Sequence, residues 1–304
     1  MRDTKTFRKL ALYFGLFTLA LPLVSQARDL ADIKKEGVLR HLGVPYANFV
    51  TGSGDGMSVE IIQKFAEHIG VKYEYVKTDW PLVIPSLIGK QVSNKGTEVE
   101  MGASTPVLGD VVANGMTILP WRQKVVSFSE PYFPNQVWLI TESADPLRPI
   151  KPTGSLDKDV ERTKKLMAGR TLMGKVKTCL DPSLYNLKDV GAKKITLFEG
   201  SLNFIAPAVL LKKETETAIL DLPDILVAQQ KWGGKLKVLG PVSGRQDMAV
   251  AFSKESPELK KAFDEFFTQI REDGTYKKIV NKYYPGVFAY FPTFFDPSTK
   301  KASN

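Results

Sequence analysis

The chain has 304 residues, with 42 Lys/Arg against 33 Asp/Glu, a formal net charge of +9, one Cys and two His. A lone Cys179 excludes an intramolecular disulfide, and two histidines without a Cys or second His at ligand spacing leave a His/Cys metal site and a Ser-His-Asp triad poorly supplied. The basic excess is spread along the chain, with no Lys/Arg cluster interleaved with aromatics, so nucleic acid is not an expected partner.

In chain order, Arg2, Lys5, Arg8 and Lys9 precede an apolar run of 15 residues, 10–24. That is shorter than the roughly 20 residues a membrane-spanning helix needs. Ser25 and Ala27 supply small residues, so residues 1–27 read as an export signal cleaved after Ala27, with an uncleaved anchor as the competing reading. With no Cys near that site, a lipid anchor is not expected. The remaining 277 residues carry 38 basic against 32 acidic side chains and suit one large domain or two of ordinary size.

"VLRHLGV" reads as a first strand. Ser58 is the expected cap of a helix over 59–69, in which Val59, Ile62, Ala66 and Ile69 share a face and Gly70 ends the run. "VKYEYV" alternates as a strand, and "PLVIPSLIG" reads as a short helix broken by Pro85. Further strands are predicted at 110–114, 136–141, 171–174, 194–197, 217–220, 235–239 and 248–252, with helices between most of them, which is an α/β pattern. Ser256-Pro257 opens a helix whose Leu259, Ala262, Phe263, Phe266, Phe267 and Ile270 form a core stripe; Gly274 breaks it and "TYKKIVNKYY" resumes. Residues 91–109 read as an inserted surface loop, and 144–166 as an insertion in which a loop runs into an exposed helix. The aromatic tail from Pro285 is expected to pack on the body.

Three features could carry chemistry. "TGSGDGMS" precedes a helix but lacks the P-loop Lys-Ser/Thr pair, and Asp55 would repel phosphate. In "ANGMTILPWRQKVVSFSEPYF", Thr117 and Arg122 bracket a Leu-Pro turn at a strand end, where a guanidinium can take a carboxylate through two parallel hydrogen bonds; a solvated surface Arg is the plainer alternative. In "ETETAILDLPDIL" a strand ends at Asp221 with Pro223 in the next helix's first turn, so Asp221 is either a helix cap or an acid for a cation. Arg122 and Asp221 together would fit a zwitterion such as an α-amino acid.

From "LADIKKEGVLRHLGV" through "GMTILPWRQKVVSFSEPYF" and "AILDLPD" to "REDGTYKKIVNKYYPGVF", the chain resembles the bacterial extracellular solute-binding proteins of family 3. The family pattern close to G-M-T-x-T-P-E-R followed by F-S-x-P-Y makes the second block specific. The resemblance implies an α/β, two-lobed periplasmic binding protein of type II (Venus-flytrap) with two crossover hinge strands. Lobe 1 would comprise 28–133 and 246–304, lobe 2 would comprise 137–241, and the hinges 134–136 and 242–245. It implies carboxylate binding by Arg122 with Thr117, a backbone contact at Gly115, ammonium binding by Asp221, and Tyr46 and Trp80 sandwiching the ligand side chain. Thr178 matches the second lobe's G-T-S/T loop, but Lys177 replaces its Gly, and Gly43 stands where binders of basic amino acids have an acid. A periplasmic, monomeric, non-enzymatic protein without a cofactor, serving an inner-membrane ABC permease, is the implied role. The same fold hosts cyclohexadienyl dehydratases and lytic transglycosylase regions, with Glu199 or Glu214 as conceivable acids, and receptors that signal in trans; both stay open here.

Overall fold

The computed structural model describes residues 26–295; the expected signal segment lies outside the described residues up to Ser25. In chain order the strands there are β1 Val38–Gly43, β2 Lys72–Lys77, β3 Lys90–Lys95, β4 Glu98–Ser104, β5 Val111–Val112, β6 Val126–Phe128 and β7 Phe133–Asn135. They continue with β8 Val137–Glu142, β9 Thr171–Gly174, β10 Lys194–Leu197, β11 Thr217–Asp221, β12 Leu236–Pro241, β13 Gln246–Met248 and β14 Ala251–Ser253.

Two five-stranded sheets organise the chain. The first runs β2-β1-β5-β14-β6, with β2, β1 and β5 parallel and β14 antiparallel to both neighbours. The second runs β10-β9-β11-β8-β12, with β10, β9 and β11 parallel and β8 antiparallel to both neighbours. Parallel neighbours need crossovers, and helices supply them. The chain passes to the second sheet through β7 and returns through β13, and these two pair antiparallel, Phe133 opposite Met248 and Asn135 opposite Gln246. Ser243 fastens the crossing: its hydroxyl accepts the Val137 amide at 2.9 Å, and its carbonyl accepts the Gln136 side-chain amide at 2.9 Å.

Several elements depart from the sequence reading for local reasons. The helix expected from 59 runs Met57–His68, with Gly56 as its N-cap at φ +134°. A Cβ at Gly56 would lie 2.4 Å from the Phe49 carbonyl oxygen, so only glycine fits. Ser58 lies inside the first turn, buried, its hydroxyl 2.9 Å from that of Tyr132. Pro85 does not break its helix: it sits in the first turn of Val83–Ile88, where the missing N–H has no intrahelical acceptor to lose. Residues 91–109 are not a plain loop; most of them form the β3–β4 hairpin. The insertion 144–166 does run into a mostly exposed helix, Leu156–Lys165. Ser256 is the N-cap of Pro257–Glu272, yet the capping oxygen comes from Asp29, which accepts the Leu259 amide at 2.7 Å; Ser256 donates to the Arg28 carbonyl instead.

The aromatic stripe is core, as its spacing predicts. Phe263 meets Phe65 at 5.2 Å edge to face and stacks on Phe267 at 5.8 Å. Burying each such ring contributes about 1.5–3 kcal/mol. The tail also packs inward: Phe295 lies 4.8 Å from Phe288 and 6.2 Å from Phe133, centroid to centroid.

Candidate functional site

The segment after β5 builds the first wall. Gly115 has φ +72°, and a Cβ there would lie 2.5 Å from the Phe49 ring and 3.1 Å from Tyr46. Glycine thus lets the Tyr46 loop close onto this strand end, and the Gly115 amide donates to the Tyr132 hydroxyl at 2.7 Å. Pro120 then starts a helical turn, Pro120–Gln123, which folds Arg122 back so that Nη1 donates to the Thr117 carbonyl at 2.9 Å.

Arg122 is not a surface residue; it is 2% exposed. Its Nε has no hydrogen-bond partner, nor has the buried Thr117 hydroxyl. The guanidinium lies 5.7 Å from the Trp80 ring and 5.3 Å from the Trp121 ring. Burial pulls its pKa down to about 10, so it stays cationic at neutral pH. A guanidinium carries five N–H donors, and no ion pair joins it among the described residues. The buried guanidinium therefore has donors to spare.

The second wall is the end of β11. Asp221 is fully buried at the N-cap position of helix Leu222–Lys231, but its carboxylate makes no capping hydrogen bond. The Tyr46 hydroxyl lies 2.5 Å from both carboxylate oxygens, and the Cys179 thiol is 3.2 Å from Oδ2. Burial raises the Asp221 pKa, and the Tyr46 and Cys179 donors partly offset this. One turn on, buried Asp224 has an unpartnered Oδ2, and burial plus the charge of Asp221 push its pKa far up.

The predicted residues form one chain of contacts. Arg122 touches Trp80, Trp80 meets Tyr46 edge to face at 5.7 Å, and Tyr46 reaches Asp221 across the crossing between sheets. Tyr46 and Trp80 touch each other directly and leave no slot between parallel rings. Thr178 is buried but committed to its own loop, donating to the Lys175 carbonyl at 2.8 Å and accepting the Leu180 amide at 3.0 Å. Lys177 is exposed at φ +61°, a left-handed conformation that costs a non-glycine residue roughly 1–2 kcal/mol. Cys179 enters the site where Lys177 does not. Burial and Asp221 push its pKa up, so it remains a thiol. Tyr185, which the sequence reading passed over, donates to the Cys179 carbonyl and accepts from Gln246. Only adjacency to Thr178 could have flagged Cys179; nothing local marks Tyr185.

The other titratable candidates fall elsewhere. His41 is a core residue with one ring nitrogen 2.8 Å from the Ala113 carbonyl and the other 2.9 Å from the Tyr73 hydroxyl. Glu214 lies beside Lys212 at 3.6 Å in a different depression, whereas Glu199 lines the cleft near Trp80.

The description of bacterial extracellular solute-binding proteins, family 3, matches this chain over residues 108–286. The chain belongs to this family. Among its family relatives is a probable amino-acid ABC transporter-binding protein of Haemophilus influenzae, 26% identical over 283 residues, 90% of this chain and 95% of that one. The L-cystine-binding protein of Escherichia coli is 25% identical over 291 residues, 89% and 93% of the two chains. A membrane-bound lytic murein transglycosylase F of Desulfosudis oleivorans is 24% identical over 233 residues, 76% of this chain; the chain spans only 44% of that relative. Among solved structures, a putative ABC-transporter binding component of Wolinella succinogenes complexed with lysine superposes at TM-score 0.64. It is 24% identical, with 82% and 96% of the chains covered. An ancestral amino-acid-binding protein, a precursor of cyclohexadienyl dehydratase, superposes at 0.63 with 24% identity, over 84% and 98%. The fold is the two-lobed type II one, and the relatives support a solute-binding role.

Proposed function

We propose that this protein captures a small zwitterion, an amino acid or a derivative, between its lobes. Arg122 and Thr117 take the carboxylate, and Asp221 takes the ammonium group. The observation that carries this reading is the buried Arg122 with unused donors, in one chain of contacts with the buried carboxyl group of Asp221. Gly115 shapes the loop, Tyr46 and Trp80 form the aromatic wall, and Thr178 holds the second-lobe loop in place.

The lobes, residues 28–133 with 246–304 and residues 137–241, would move about the crossings at 134–136 and 242–245. A ligand can shift such an equilibrium only by its differential affinity for the two states. A zwitterion touching both lobes favours the closed one, and exclusion of water strengthens each charged contact. An exported, monomeric protein that hands its ligand to an ABC permease in the inner membrane fits the named relatives. Loss of amino-acid binding in Arg122→Ala and in Asp221→Ala, measured by titration calorimetry, is the expected result. Wild-type affinity in both variants would sink the assignment.

Catalysis has the transglycosylase match and the dehydratase precursor in its favour. We favour binding without turnover, since the acids that line the cleft mouth, Asp79 and Glu199, are both exposed. Incubation with prephenate or arogenate should give no product; turnover of either would reverse this preference.

A further inference from the structure

Beside the Arg122–Asp221 centre, the two lobes line an open cavity of about 370 Å³. That lies at the small end of ligand pockets, roughly 300–1,000 Å³. Val44, Pro45, Trp80 and Pro81 give it an apolar wall, and Lys175 and Glu199 face them from the second lobe. Trp80 joins cavity and centre, because the same indole packs against Arg122 and Tyr46. Its N–H is buried with no acceptor.

Lys175 is set by its loop. β9 ends at Gly174, where a Cβ would collide with the Leu180 carbonyl oxygen at 2.7 Å, and the Lys175 amide closes the turn on that same carbonyl at 2.8 Å. The side chain is half-buried and donates one hydrogen bond, 3.2 Å, to the Phe198 carbonyl. An ammonium has three donors, and no described carboxylate lies within ion-pair distance of this one. The other charged groups on the lining, Lys77, Asp79 and Glu199, are all exposed and open to screening by water and salt. Burial lowers the pKa of Lys175, with Glu199 opposing at longer range; a partner anion would relieve that cost.

We propose that this cavity is the side-chain subsite of the cleft and that Lys175 selects amino acids bearing a second, distal acidic group on a short apolar stem. This rests on the zwitterion reading above, with Arg122 and Asp221 holding the α-carboxylate and α-ammonium groups. Exposed Lys177 plays no part, and the apolar wall contacts the stem.

Calorimetric titration of the purified protein with aspartate, glutamate and 2-aminoadipate, each against its neutral side-chain amide, tests the proposal. At least one acid should bind about ten- to a hundredfold tighter than its amide. That preference should vanish in Lys175→Met and return in Lys175→Arg. Equal affinity for acid and amide in every pair, or a preference untouched by Lys175→Met, would overturn it. Arg122→Ala separates the two levels. If it abolishes binding of acids and amides alike while no pair is discriminated, only the side-chain assignment fails. If it leaves binding unchanged, or if no amino acid binds the wild type, the zwitterion reading fails and this inference goes with it.

Discussion

Arg122→Met should leave the ligand-free protein nearly as stable as wild type while abolishing binding. Burial moves the guanidinium from its usual strongly basic range down to about 10, a disfavour of about 3 kcal/mol for the charged form. By proton linkage this cost is present throughout the range below pH 10 and is relieved only as pH rises above it. Against it stand one hydrogen bond to the Thr117 carbonyl and two indole contacts, each worth about 1 kcal/mol. The terms nearly cancel, and a methionine fills much of the same volume. Thermal denaturation without ligand should therefore shift by no more than about 1 kcal/mol, roughly 2–4 °C at this size. Affinity for an amino acid should fall by about a hundredfold or more, as expected for loss of a charge-assisted contact. A ligand-free loss above about 3 kcal/mol together with near-normal binding would show that Arg122 is a structural residue and refute the reasoning.

Three further outcomes follow from the same geometry. His41 is buried and its pKa is lowered to about 4, so the folded state resists its protonation. The stability this preserves is complete above about pH 6.5 and is lost as pH falls toward 4. Urea melts at pH 7.5 and 4.5 should differ by about 2–3 kcal/mol less in His41→Gln than in wild type. Gly115→Ala forces a positive φ on alanine and a collision with Phe49; a loss of about 2–4 kcal/mol in chemical denaturation is expected. Cys179 is 5% exposed, with a thiol held protonated by burial and by Asp221, so Ellman's reagent should label it far more slowly in the native protein than in urea.

What was legible in the sequence was what local pattern controls. Strands β9 and β10 begin and end where alternation and turn residues place them, and β11 ends at Asp221, where the following Pro223 helix signal puts its end. Long-range contacts decided the rest. Gly56 became the cap because the Phe49 carbonyl crowds it, and Asp29 capped a helix more than 200 residues away. The strand expected at 248–252 splits into β13 and β14 because the chain there leaves the crossover ribbon to join the first sheet. At the site, residue types and strand ends pointed to Arg122, Thr117 and Asp221, and the family pattern added Gly115, Tyr46, Trp80 and Thr178. The hydroxyl commitment of Thr178, the entry of Cys179 and the half-buried Lys175 depend on how one tight loop folds against the opposite lobe. No local spacing reports that.

The central claim is that one ligand bridges a cation and an anion on opposite lobes. Its most direct measurement is calorimetry of the best-binding amino acid against its N-acetyl and methyl-ester forms, in wild type, Arg122→Ala and Asp221→Ala. Each blocked form should bind the wild type about a hundredfold or more weakly. The acetyl penalty should then disappear in Asp221→Ala and the ester penalty in Arg122→Ala, as coupled contacts require. Penalties that persist unchanged in both variants would contradict the account.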